Sequence, residues 1–489
     1  MRVRSVAAFT LFAFCILVIF SPPSPCLAAS AGGSDILRKG PYLSLAVKEA
    51  GQNCGEMCTT DSTKMTVLWQ TDRTPANCRI AWDNVSDCAT ADYKKPGRTA
   101  TGLSESGPGK DQHQFAYTIS GLSPGTRTCY RVTCDRADYD GSFRTPPADG
   151  STAVSFYAYG DTRGPRSHHK HILSRALTDM KNDPTGGRQT MILHTGDLVL
   201  DGAREEYWDQ NCSDLLCGDR VDKGQCGQDA YFKRQGPEAE FLSTVPVLAI
   251  LGNHEGYTCE GKTWRTDYEN FGKYFKKYFP YPFYVKGKER FYYAFDYGPA
   301  RIVVIDGNDR DGDRGNTGRN ESDAGLKEGT PQWEWLKKVL DGTAKWKIVA
   351  IHNPLYTGSG DRDRFAKDRT MRDKLHAFLK AQGVKVVLQG HNHYYAHCEY
   401  DGVHYLTLGS GGCNLTDPAT AGPPSCPAPP GHLKKAYNTC GPPGHPNGKS
   451  LCYHYSRIDI TDEQTMKVTV RDSWGEETGG VIEEFTVSR

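Results

Sequence analysis

The chain has 489 residues, of which 37% are hydrophobic and 11% aromatic, enough for two or three domains with packed cores. Its formal net charge is +1. That balance excludes the broad basic footprint of a nucleic-acid binder and the polybasic attraction to an acidic membrane surface.

The first residues read as a removable segment. Arg2 and Arg4 precede an apolar run over 6–20, and Ala29-Ser30-Ala31 has the small residues of a cleavage site. Residues 1–31 are therefore expected to be a signal peptide. The alternative is a membrane anchor, but the run is short and Pro22, Pro23 and Pro25 interrupt it. No other stretch is apolar enough for a transmembrane anchor. Of seventeen cysteines, Cys15 and Cys26 fall in this region. The other fifteen suit an oxidising compartment, with one thiol left free or intermolecular and a connectivity that spacing does not reveal. Cys54 and Cys58 make the nearest approach to a zinc pattern but lack a second pair.

Residues 38–147 read as all-β. Runs over 64–71 and 114–119 alternate in the strand manner, and Gly107-Pro108-Gly109 and Ser123-Pro124-Gly125 mark turns. Short strands with such turns predict a β-sandwich. Gly121-Leu-Ser-Pro-Gly-Thr126 followed by Tyr130-Arg-Val132 resembles the late strands of fibronectin type III domains, with Thr128 where those often carry tyrosine. A linker is expected at 148–151.

From 152 to 489 the pattern becomes α/β. Strands are expected over 154–159, 190–195, 245–251, 301–305, 346–351, 384–389 and 404–408, and helices over 168–180, 333–340 and 369–382. Two insertions interrupt the pattern. Residues 306–323 resemble a calcium loop loosely, with Arg314 where the glycine is needed. Residues 413–452 are rich in Pro, Gly and Cys and read as a stapled surface loop.

Five short motifs each begin where an expected strand stops. They are Gly160-Asp-Thr-Arg-Gly164, Gly196-Asp-Leu-Val199, Gly252-Asn-His-Glu255, His352-Asn-Pro354 and Gly390-His-Asn-His393. Strand ends are where α/β folds place ligands. Carboxylates, an amide oxygen and imidazoles together suit zinc, iron or manganese. A glycine before Asp161, Asp197, Asn253 and His391 is expected to let the chain turn sharply there. No Gly-x-Ser-x-Gly elbow and no phosphate-cradling P-loop competes.

The order and contexts of these motifs resemble the calcineurin-like metallophosphoesterase superfamily. The preceding β-sandwich and the Asp-Thr-Arg variant are similar to its purple acid phosphatase-like members. The resemblance implies a β-sandwich flanked by helices and two metal ions. It implies that Asp197 bridges them, that Asp161 and His393 hold the first, and that Asn253, His352 and His391 hold the second. It places His254 at the substrate phosphate, where it stabilises the transition state or protonates the leaving oxygen, assisted by Glu255; the plainer alternative is a supporting histidine. A hydroxide held by the metals would attack phosphorus in line.

The chain departs from the family in two places. Arg163 stands where many members have histidine, and Leu200 where purple enzymes have the tyrosine that binds ferric iron. Divalent Zn, Mn or Fe is therefore expected, and tyrosinate-bound ferric iron is not. Tyr207 and Tyr257 are near in sequence but lack the spacing of that ligand. Arg163, always cationic, either grips a phosphate oxygen or pairs with a neighbouring carboxylate. His194 is expected to be buried support.

The sequence thus predicts an exported phosphohydrolase acting on a phosphoester substrate, with monoesters ahead of diesters or nucleotides. A rival is an inactive cell-surface binding protein. Asn84, Asn211, Asn320 and Asn414 each begin an Asn-x-Ser/Thr pattern, and periplasm and extracellular space both remain open.

Overall fold

The apolar runs of the C-terminal part form strands buried on both faces. The computed structural model describes residues 36–48, 57–71, 77–101, 105–106, 113–164, 166–183, 189–208, 232, 237–260, 263–267, 270–285, 291–308, 325–342, 345–358, 365, 368–418, 424–427, 433–437, 453–473 and 480–489. The expected signal peptide, Cys54, residues 309–323 of the calcium-like insertion, Asn211, Asn320 and most of the 413–452 insertion lie outside them. Among the described residues no helix is long and apolar enough to cross a membrane.

One sheet runs, in order, Leu433–Tyr437, Tyr395–Tyr400, Val403–Leu408, Val386–Gln389, Trp346–Ile351, Ala300–Ile305, Tyr293–Tyr297, Cys58–Thr71, His113–Ile119 and Glu105–Ser106, with Leu37–Val47 also on Cys58–Thr71. A second runs Val247–Ala249, Gln189–His194, Val154–Tyr159, His454–Ile460, Thr465–Asp472 and Val481–Ser488. A third joins Thr99–Thr101, Cys78–Asp83, Arg127–Cys134 and Ala137–Arg144. The expected strand over 245–251 shortens to Val247–Ala249. Pro246 at its start has no N–H to give a ladder, and the chain beyond Ile250 turns out to present Asn253.

Alternation along the strands divides the interior. Trp346, Ile348 and Ala350 join Ile302, Val304, Phe156, Ile192 and Ile458 in the core between the first two sheets. Val349 and Ile351 face the other way, toward Trp333, Leu336, Leu375 and Leu379. A strand that buries both faces reads as an unbroken apolar run. The helices Pro331–Val339 and Arg369–Ala381 cover the outer face. Each opens on a capping side chain, Thr330 accepting from Trp333 N and Asp368 from Met371 N. The C-terminal part is thus two facing sheets with helices outside, the arrangement that the resemblance implied.

Both helices end on one cation. Lys347, on the outer face of Trp346–Ile351, is buried, and its Nζ donates to Leu340 O and Gln382 O, both at 2.6 Å. These are the C-cap residues of the two helices. The ammonium thus meets the negative ends of two helix dipoles.

The N-terminal part is all-β. Its third sheet packs on the far end of the first through Val67, Trp69, Ile80, Val132 and Phe143. Cys78–Cys134 and Cys88–Cys129 staple it. Lys95 and Arg98 hold the buried Asp83 carboxylate at 2.6 and 2.5 Å. The expected linker at 148–151 lies between Ala137–Arg144 and Val154–Tyr159, and a second connection comes from the long strand Cys58–Thr71. Cys58 and Thr59 pair in parallel with Phe295 and Asp296, so the first sheet continues from the N-terminal part into the C-terminal part. Thr60 Oγ1 donates to Asp296 O at 2.8 Å beside that junction.

Lys347→Met keeps the stem and removes both charged hydrogen bonds. We expect it to lower the unfolding free energy by about 2 kcal/mol or more, seen as a lower urea midpoint at unchanged slope. An unchanged midpoint would remove Lys347 from this account.

Candidate metal centre

Val154–Tyr159, Gln189–His194 and Val247–Ala249 are parallel in one sheet, and Trp346–Ile351 and Val386–Gln389 are parallel in the other. Their carboxyl ends lie together, so the five motif loops meet. The loops are bonded to one another. Asp161 N donates to Gly196 O at 2.9 Å, Thr162 N to Asp197 O at 3.0 Å, and Gly390 N to His352 O at 2.9 Å.

The turns differ from the expectation. Positive φ falls on the candidate ligands themselves, Asp161 at 59°, Asp197 at 56° and His391 at 69°. Each costs roughly 1–3 kcal/mol for a residue with a side chain. Of the four glycines that precede candidate ligands, Gly196 has positive φ, at 97°. Gly252 and Gly390 serve by lacking a Cβ. A Cβ on Gly252 would lie 2.3 Å from Asp197 Oδ1, and one on Gly390 would lie 2.7 Å from Asp161 Oδ2.

Two groups of donors share Asp197, one with His352 and His391 and one with Asp161 and His393, the ligand atoms of each lying within 4.8 Å of one another. In the first group His352 Nδ1 is 2.7 Å from Thr195 O. That carbonyl fixes the proton on Nδ1 and leaves a lone pair on Nε2. Burial lowers the His352 pKa, which keeps the ring neutral. Its Nε2 lies 3.0 Å from Asn253 Oδ1 and 3.3 Å from Asp197 Oδ1, and His391 Nδ1 lies 2.8 Å from Asn253 Oδ1. Acceptors converging in a buried space are costly unless a cation lies among them. This donor chemistry fits a divalent ion.

In the second group His393 Nδ1 faces Asn414 O at 2.7 Å, so its Nε2 carries the lone pair, 3.6 Å from Asp161 Oδ1. Burial and the adjacent Asp197 push the Asp161 carboxyl well above the usual range. Burial also opposes ionisation of Asp197, but the Arg163 guanidinium beside it holds it well below the usual range. Two buried carboxyls side by side again call for a cation.

Arg163 enters this second group. Its Nε donates to Asp197 Oδ2 at 2.9 Å and one terminal nitrogen lies 3.0 Å from His393 Nε2. Of the two roles open in the sequence, the structure has the carboxylate pair.

His254 is buried beside the shared carboxylate. Its N donates to Asp197 Oδ1 at 2.9 Å, and its Nδ1 lies 2.6 Å from Leu200 O. Burial, then the Arg163 charge, pushes its pKa down to about 3. Leu200 thus supplies a carbonyl to His254, and its side chain packs against the core. Tyr257 lies against His254 with ring centroids 5.2 Å apart, and Tyr207 is buried near the Arg204 guanidinium. His194 Nδ1 accepts from Gly196 N, and its Nε2 is 3.2 Å from Thr162 Oγ1, which bonds Leu198 O. It braces two loops.

Sequence reading did not find the anchoring role of Glu255. Its carboxylate accepts from Asp197 N at 3.0 Å, Leu198 N at 2.8 Å and Gly252 N at 2.7 Å. Burial and Asp197 push its pKa up to about 8 against these three donors. Sequence reading placed the 413–452 loop near the site but did not find that Cys413 N bonds Asp161 O at 3.0 Å or that the Cys413 thiol is free and buried. The signal available was Gly409-Ser-Gly-Gly412, another glycine-rich stretch after a strand.

Residues 155–395 match the family model described as calcineurin-like phosphoesterase. The chain carries a calcineurin-like phosphoesterase domain over these residues, which supports a metal-dependent phosphoester hydrolase. Its fold is similar to that of the purple acid phosphatase PPD1 from yellow lupin (Lupinus luteus) seeds, at 16% identity and a TM-score of 0.58, covering 92% of this chain and 75% of that one. It is also similar to PhoD, at 14% identity and a TM-score of 0.58, covering 93% of this chain and 91% of that one.

Glu255→Ala would leave three buried backbone N–H groups without their acceptor. Each such loss costs about 1–3 kcal/mol, so the variant should unfold several kcal/mol more easily in urea. A midpoint shift below about 0.5 kcal/mol, within the usual range for a surface substitution, would contradict this role.

Proposed function

We propose that this hydrolase is an exported phosphomonoesterase using two divalent ions. Asp161, Asp197 and His393 would hold the first ion, and Asp197, Asn253, His352 and His391 the second. The observation that carries the reading is the membership of Asp197 in both donor groups. One carboxylate can give an oxygen to each ion. Two such ions would supply Lewis acidity, polarising a phosphoryl oxygen and lowering the pKa of water between them.

The protein's own groups set the rest. Thr195 O and Asn414 O aim the imidazoles. Leu200 O holds His254 by Nδ1, so a proton moving to or from substrate would pass through the other ring nitrogen. In this reading His254 stands at the substrate phosphate through that nitrogen. The choice of monoesters is supported by the name of the lupin protein, an acid phosphatase. An N-terminal fibronectin type III-like unit over 38–147 and a catalytic domain over 152–489 remain our division of the chain, supported by the all-β N-terminal part. Export is supported by the bridges Cys78–Cys134, Cys88–Cys129 and Cys398–Cys426, which persist in oxidising compartments.

Asp197→Asn tests the centre. It should lose at least about 100-fold in turnover, on the scale of removing one electrostatic stabiliser, across a panel of monoester, diester and nucleotide substrates. Metal content should fall as well. Near-normal turnover with unchanged metal would remove Asp197 from the mechanism, and a panel led by diesters would replace the monoester assignment.

A second test is colour. Leucine offers no coordinating atom at position 200, so a divalent centre without phenolate is expected. Active, metal-replete protein should show no strong visible band by absorption, alongside elemental analysis for zinc, manganese and iron. A tyrosinate–iron band that tracks activity would overturn the assignment of the first site.

A further inference from the structure

The two donor groups are not equivalent, and the difference lies in one side chain. The group around Asn253 brings together Asp197 Oδ1, Asn253 Oδ1, His352 Nε2 and His391 Nδ1. In the group around Asp161, two of the three donor side chains are already engaged by a fixed cation. Arg163 gives Nε to Asp197 Oδ2 at 2.9 Å and a terminal nitrogen to His393 Nε2 at 3.0 Å. The His393 contact uses the lone pair that a metal would use, because Nδ1 is committed to Asn414 O at 2.7 Å. The guanidinium is also largely enclosed, with 18% of its side chain exposed. A guanidinium stays protonated and cannot become a ligand. It can only compete, by occupying the donors and by repelling a second positive charge in a site where screening is weak.

We propose that Arg163 guards the Asp161–Asp197–His393 site against metal, so that the chain takes up its two ions unequally. One ion binds tightly at Asp197, Asn253, His352 and His391. The other enters only as Arg163 leaves Asp197 and His393. Arg163 is thus a positioning residue that sets metal stoichiometry. This rests on the metal-site assignment proposed above, and the test separates the two.

Metal-stripped full-length protein is titrated with Mn2+ by calorimetry, and the same samples are read by electron paramagnetic resonance, which distinguishes an isolated ion from a coupled pair. Wild type should bind one equivalent tightly and a second at least tenfold more weakly, with isolated-ion signal up to one equivalent. Arg163→Ala should bring the second constant to within about threefold of the first, with the coupled signal already present at low loading. Arg163→Gln keeps bulk and hydrogen bonding without charge, should also tighten the second site, and serves if the alanine variant does not fold. Equal affinities in wild type, or a second constant unmoved in both variants, would overturn the proposal. Binding of no equivalent by wild type, or full binding by His352→Ala, would instead overturn the site assignment on which it stands.

Discussion

A buried carboxylate surrounded by acceptors needs positive charge, and the arrangement of this domain turns on how that need at Asp197 is met. Asp197 is fully buried. Its backbone N–H is given to Glu255, its Oδ1 takes the N–H of His254, and its Oδ2 takes Arg163. Three strand ends and their loops are thereby fixed to one residue. An isolated ionised carboxylate in such a place would protonate instead. A bond from the His254 N–H and one from a guanidinium keep the charge, while its neighbour Asp161 is driven toward the neutral form. The pair describes a centre built to be completed by cations, partly from within the chain.

The same need explains where the backbone is strained. Asp161, Asp197 and His391 adopt left-handed conformations that side chains normally avoid. Each such turn swings a side chain out of its strand direction toward the common centre. Neighbouring hydrogen bonds over-determine the turns, as with Asp161 N on Gly196 O and His391 N on Asp161. The glycines around them keep the space that these side chains cross. Conformational cost is concentrated at the candidate ligands, and the surrounding sheets, with both faces buried, supply the stability that carries it.

Much of this was legible in the sequence because it is local. Apolar runs such as Trp346–Ile351 and Val386–Gln389 state their strands through residue type alone, and helices Pro331–Val339 and Arg369–Ala381 state their starts through Thr330 and Asp368. The motif residues Asp161, Asp197, Asn253, His352, His391 and His393 were singled out because each stands just after such a run, and the structure brings them together. What escaped depends on distance. The pairing of Cys58 with Phe295 joins segments that no local pattern relates. Lys347 looks like an ordinary polar residue until two helix ends are brought to it. Glu255 reads as one more acid beside a histidine until three N–H groups are placed around it. Arg163 had two chemically sound roles, and only its distance to Asp197 separates them.

The unbroken first sheet has a consequence for how the chain behaves as a material. Strand Tyr293–Tyr297 is hydrogen-bonded on one side by Ala300–Ile305 and on the other by Cys58–Thr71, and it is buried throughout. The N-terminal part is therefore the seam-cover of the catalytic half as well as its neighbour in sequence. Removing the N-terminal part would leave the backbone of Phe295 and Asp296 without its ladder partners, the kind of open edge that recruits other strands. Unfolding of either half should likewise expose the other's edge, so the two halves are expected to melt as one cooperative unit, and neither is a cassette that evolution or an engineer could move alone.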